Sequence, residues 1–217
     1  MVKFESGVTR LTTKQRTAIA APVVLMGTMY PVFRMLDSAF GDQLDGYLGW
    51  YLGLVTYWIV WGAGFSIWML GVPRIRQLLR PRRPTIRLIL LIAFPVLMAA
   101  AVLLLPGMSS QKQTIGVLLL LVSTTIGNGL FEETLWRGVY LELFRDRRFW
   151  RVGWASVWFG LWHVIPVSIN AETVVDVIPM VAGSMAFGFY LAFLAKKSDS
   201  VWWPMIAHLL GGIVMVS

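Results

Sequence analysis

Residues 114–144 read TIGVLLLLVSTTIGNGLFEETLWRGVYLELF, an apolar run that carries two adjacent glutamates and an arginine. As one helix of 31 residues it would extend ~46 Å, well beyond the ~30 Å of a bilayer's hydrocarbon core. It must therefore tilt and project past the membrane, or break near Gly127-Asn128-Gly129. Six further apolar segments flank it, at 17–34, 47–71, 86–105, 152–167, 174–195 and 201–216. Dividing the long run into two crossings would spoil the alternation of charge in the loops, so we read one long helix, tilted or kinked. The fold class expected is all-α: a polytopic integral membrane protein with about seven transmembrane helices (seven or eight).

Composition agrees with that reading. Of 217 residues 57% are hydrophobic and 14% charged, and the mean hydropathy is +0.69, far above that of soluble domains. No length remains for a soluble catalytic domain. The net charge of +8 would suggest a polyanionic partner in a soluble chain; in a membrane protein it points to basic loops at the cytoplasmic face rather than to nucleic acid. Sixteen of the 19 Lys and Arg residues fall in four alternate connections, at 1–16, 74–87, 145–151 and 196–197. The other connections hold Asp37, Asp42, Asp45, Glu172 and Asp176, with Lys112 as their one base. The expected topology is a multi-pass cell-membrane protein with its N-terminus in the cytoplasm. Residues 1–16 form the cytoplasmic tail, 17–107 three membrane helices and 112–217 a four-helix catalytic core. The tail lacks a signal-peptide pattern, so the first helix is expected to remain as an anchor. Cysteine is absent, which removes disulfides, thiolate nucleophiles and thiolate-bound metal. The eleven tryptophans partly mark interfacial belts.

Ionisable groups inside apolar helices are costly and so are functional candidates. Glu133 and Arg137 stand four apart and can pair along the helix, while Glu132 points about a quarter-turn away without such a partner. The chain's two histidines, His163 and His208, lie on later segments. Counted inward from the nearest basic residue, Glu132, His163 and His208 all lie ~16–20 Å deep. A carboxylate and two imidazoles in one layer can activate a water molecule and stabilise an oxyanion, the chemistry of a peptidase without a covalent intermediate. A zinc-dependent membrane peptidase is a weaker alternative, because the H-E-x-x-H spacing is missing. A G-x-S-G serine setting and a G-x-G-D aspartyl element are missing too. A proton-coupled transporter would use the same residues but lacks an inverted repeat. No cofactor is called for; the expected partners are the bilayer and a membrane-associated peptide or protein.

E-E-x-x-x-R at Glu132–Arg137, F-x-x-x-H at Phe159–His163 and the later His208 together resemble the CPBP family, the CAAX proteases and bacteriocin-processing (Abi) membrane endopeptidases. The resemblance covers roughly residues 118–217. It implies an intramembrane glutamic peptidase in which Glu132 and His163 activate water, with Glu133 and Arg137 structural or substrate-orienting. The family's last motif is H-x-x-x-N or H-x-x-x-D, its His and Asn forming an oxyanion hole. Here Gly212 stands at the amide's position, and Asn128, one turn before Glu132, is a candidate substitute donor. The departure at Gly212 motivates a second reading, a non-catalytic membrane immunity or peptide-binding protein of the same fold.

Overall fold

A computed structural model describes residues 10–103, 114–169 and 171–216; the expectations for Lys3 and Lys112 lie outside them. Every regular element among the described residues is a helix. In chain order these are α1 (Thr13–Phe40), α2 (Leu48–Leu70), α3 (Val72–Leu78), α4 (Ile86–Leu103), α5 (Ile115–Leu143), α6 (149–162), α7 (Val164–Val167), α8 (Val174–Ser198) and α9 (Trp202–Val216). Among the described residues each of the seven apolar segments forms helix. Among the described residues α1, α2, α5 and α8 are each long and apolar enough to cross a membrane, and α4 has a shorter apolar stretch, Ile86–Leu97. Helix α1 begins at Thr13 rather than Thr17 because Thr12 caps it: its hydroxyl accepts the Gln15 N–H, and the Gln15 side chain accepts the Thr12 N–H. Helix α3 was not apparent in the sequence. Gly71, at φ +77°, ends α2 in a conformation that side chains disfavour, and the chain turns off into this short helix.

The basic segments gather at one end of the bundle. There Lys14 Nζ donates to the Met69 carbonyl and Gln15 Nε2 to that of Leu143, at 2.6 and 2.7 Å. These bonds satisfy carbonyls that the last turns of α2 and α5 leave open. Arg74 pairs with Glu142 at 2.7 Å, and Arg82 with Asp199 at 2.7 Å. The α8–α9 connection is fastened to the end of α3, with the Val201 N–H on the Leu78 carbonyl and the Ser200 hydroxyl on that of Arg80.

Helix α5 runs without a break through Gly127-Asn128-Gly129. Its winding changes instead: Asn128–Val139 is π-helical, with i→i+5 bonding that widens the turn. Such segments are rare and recur at functional sites. The glycines serve close packing. A Cβ at Gly127 would meet the Trp58 ring at 2.5 Å, and one at Gly129 would meet the Met205 carbonyl oxygen of α9 at 3.2 Å. Small residues let membrane helices approach in this way. The core that results is aromatic: Phe33, Tyr57, Trp136, Tyr140, Phe144, Phe159 and Trp162 are fully buried. Trp58, Trp136 and Trp162 are thus core residues, not interfacial ones.

Candidate active site

Glu132, Glu133 and Arg137 are the charged side chains buried among the described residues, each at most 1% exposed. All three project from the π-helical part of α5. Arg137 Nη1 donates to Glu133 Oε1 at 3.0 Å, and Nη2 donates to the Gly188 carbonyl of α8 at 3.1 Å. The guanidinium also lies 4.2 Å from the Phe159 ring centroid on α6, a favourable cation–π placement. One side chain therefore ties α5 to α6 and α8. Breaking such a buried pair from one side strands a charge, which typically costs ~3–5 kcal/mol.

Helix α9 contributes His208. Its Nδ1 lies 2.9 Å from Glu133 Oε1, and its Nε2 faces Glu132 Oε2 at 3.9 Å. The acceptor at Nδ1 is a carboxylate, so Nδ1 carries a proton and donates it. The imidazole thus bridges the two adjacent glutamates. Glu132 has no ion-pair partner along α5, but another helix supplies a hydrogen bond: Trp162 Nε1 donates to its Oε1 at 3.0 Å. Its Oε2 accepts no hydrogen bond from the described residues. Trp162 is itself fixed by stacking on Tyr57, ring centroids 4.0 Å apart, and Tyr57 Oη accepts the Trp136 indole N–H.

His163 sits where α6 ends. Its Nδ1 lies 2.7 Å from the Phe159 carbonyl. A carbonyl only accepts, so Nδ1–H donates and Nε2 keeps its lone pair in the neutral ring. Phe159 stands edge-on to both imidazoles, with centroid distances of 4.9 Å to His163 and 6.1 Å to His208. The two histidines line one cavity of about 520 Å³, walled mainly by apolar groups of α4, α6, α8 and α9, including Phe94, Phe187 and Tyr190. Of the Glu132–His208 pair it is His208 that lines this chamber. Among the described residues no group of three or more His, Asp or Glu side chains is arranged to hold a metal ion.

Gly212 lines the same cavity, but a Cβ there would lie 2.5 Å from Thr125 Cγ2 on α5. An Asn or Asp at this position would thus require the Thr125 side chain to shift. Asn128 is turned to α2, where its Oδ1 accepts the Trp58 indole N–H at 3.0 Å. Trp162, Tyr57 and the Gly188 carbonyl did not emerge from the sequence as site components. Trp162 carried a usable signal: it precedes His163 at the same depth, and a buried indole N–H needs an acceptor.

Residues 114–214 match the family model of the type II CAAX prenyl endopeptidase Rce1-like proteins. The matched stretch contains all three motifs, and the family it matches agrees with the one those motifs resemble. No curated protein and no solved structure matches the chain.

Proposed function

We propose, from the match of this stretch to a CAAX-type protease family, that the protein is an intramembrane endopeptidase. It hydrolyses a peptide bond in a membrane-associated peptide or protein, with Glu132 as the base and no metal in the reaction. The observation that carries this reading is the His208 ring held between Glu133 and Glu132 beside the chamber that His163 also lines.

The residues divide the work as follows. Glu132 is anchored through Oε1 by Trp162, which leaves Oε2 to accept a proton from water. The His163 lone pair at Nε2 orients that water. As the oxygen attacks the substrate carbonyl carbon, charge moves to the carbonyl oxygen. His208, in its doubly protonated form, donates through Nδ1 to Glu133 and presents Nε2–H to that oxyanion. The proton held by Glu132 then passes to the leaving amine as the C–N bond breaks. Arg137 and Glu133 hold His208 in place. A prenylated C-terminal tail is the substrate class nearest the family description; leader peptides and sorting signals fit the same chemistry.

The test compares new protein termini in cells making wild type, Glu132→Gln or His163→Ala, each checked for membrane insertion. General-base removal should slow cleavage by ~10²–10⁴-fold, so termini unique to wild type are expected. Cleavage at the wild-type rate by an inserted Glu132→Gln protein would refute the reading. Gly212, which supplies no side-chain amide and packs against Thr125, favours the second reading: a non-catalytic immunity or peptide-binding protein. Partner binding or protection that survives Glu132→Gln, without any new termini, would establish that alternative.

A further inference from the structure

A second concavity lies between α4 and α8, at the basic end of the bundle, with a volume of about 670 Å³. This is within the roughly 300–1,000 Å³ typical of ligand sites. Its mouth is cationic: Arg82, Arg83, Arg87 and Lys197 all line it. Asp199 neutralises Arg82 at 2.7 Å. Arg83 and Arg87 are exposed and have no carboxylate partner among the described residues. Below the mouth the walls turn apolar, through Leu88, Leu91, Phe94 and Phe193. From Arg87 to Phe94 is ~10 Å along the helix.

A site with fixed positive charge at its rim and hydrocarbon beneath suits a ligand with a negative head and an apolar tail. We propose that this groove binds one anionic phospholipid, its phosphate on Arg83, Arg87 and Lys197 and an acyl chain along α4 toward Phe94. Charge complementarity selects this occupant, since basic pockets between membrane helices recognise acidic headgroups. A zwitterionic lipid brings no net charge to the rim. Phe94 lines both this groove and the histidine chamber, and its ring lies 5.7 Å from that of Tyr190, a chamber residue. The lipid tail therefore ends at the wall of the chamber.

Native mass spectrometry of the purified full chain, supplied with phosphatidylglycerol or phosphatidylcholine in equal amounts, tests this. A one-to-one phosphatidylglycerol adduct is expected, retained at least tenfold more than phosphatidylcholine. Arg83→Gln with Arg87→Gln should reduce its retention at least tenfold. Arg76→Gln with Arg148→Gln, which removes the same charge from other exposed positions, should leave it unchanged. An excess of sn-glycerol 3-phosphate should not displace it. Equal losses in the two double variants, equal retention of the two lipids, displacement by glycerol phosphate, or no adduct would each overturn the proposal. So would a protein dimer or a bound acidic peptide lost in its place with Arg83→Gln and Arg87→Gln. None of these readouts depends on proteolysis.

Discussion

Trp162 shows how much one hydrogen bond can decide in this site. Replacing it with Phe preserves a ring to stack on Tyr57 but removes the N–H that holds Glu132 Oε1. Hydrogen bonds within membrane proteins are worth ~0.6–2 kcal/mol, so Trp162→Phe should melt only slightly early in detergent. Because the carboxylate is no longer aimed, kcat should drop about tenfold with KM unchanged; a merely structural role would leave kcat alone. Arg137 behaves differently. Arg137→Met leaves Glu133 with His208 but no guanidinium and loses the Gly188 bond, for an expected loss of ~3 kcal/mol in denaturant unfolding. Arg137→Lys should recover only part, since an ammonium cannot fork between Glu133 and Gly188 while lying on Phe159. Scarcity of ionisable groups is enough to single out Glu132, His163 and His208 from sequence. It is silent about Trp162 and Tyr57, because tryptophan is abundant here and an interfacial role explains part of the copies without reference to a partner.

The helices themselves were legible because their apolar runs are bounded by charge. What periodicity did not convey was the winding of α5, where the same residues satisfy either an α or a π pattern and only packing chooses. That choice changes side-chain directions, yet the Glu133–Arg137 pair read at four residues' spacing is present; the partner of Glu132, Trp162, stands on another helix, which a wheel of α5 alone does not contain. Gly127 and Gly129 suggested a break for a similar reason: without the neighbours Trp58 and Met205 in view, a glycine reads as weakness rather than as contact. Gly212 allows a test between helices. Gly212→Asn should lower the melting temperature through its clash with Thr125 Cγ2, with a cost of about 1–3 kcal/mol for overpacking. Adding Thr125→Ala removes that methyl and should restore much of the loss, a coupling that a double-mutant cycle measures.

For the whole molecule, counting Lys and Arg was sufficient to group the loops, and the Lys14, Gln15, Arg74 and Arg82 contacts show four connections meeting at one end. The absence of cysteine provides a clean background for finding which side that end faces. Single cysteines at Arg76 or Arg148 should react with a membrane-impermeant thiol reagent only in inside-out vesicles, and at Asp42 or Glu172 only in right-side-out ones. The reverse pattern would invert the proposed topology. The tethering of α1 also bears on how the protein is made. Gln15 is bonded to the Leu143 carbonyl, 128 positions later, and the Ala18 carbonyl accepts the hydroxyl of Tyr140. At roughly 5–20 residues per second of synthesis, α1 waits on the order of ten seconds for the residues that complete these contacts. Over that interval Lys14 already has the Met69 carbonyl within reach, 55 positions later, while the Gln15 amide and the Ala18 carbonyl still lack their partners.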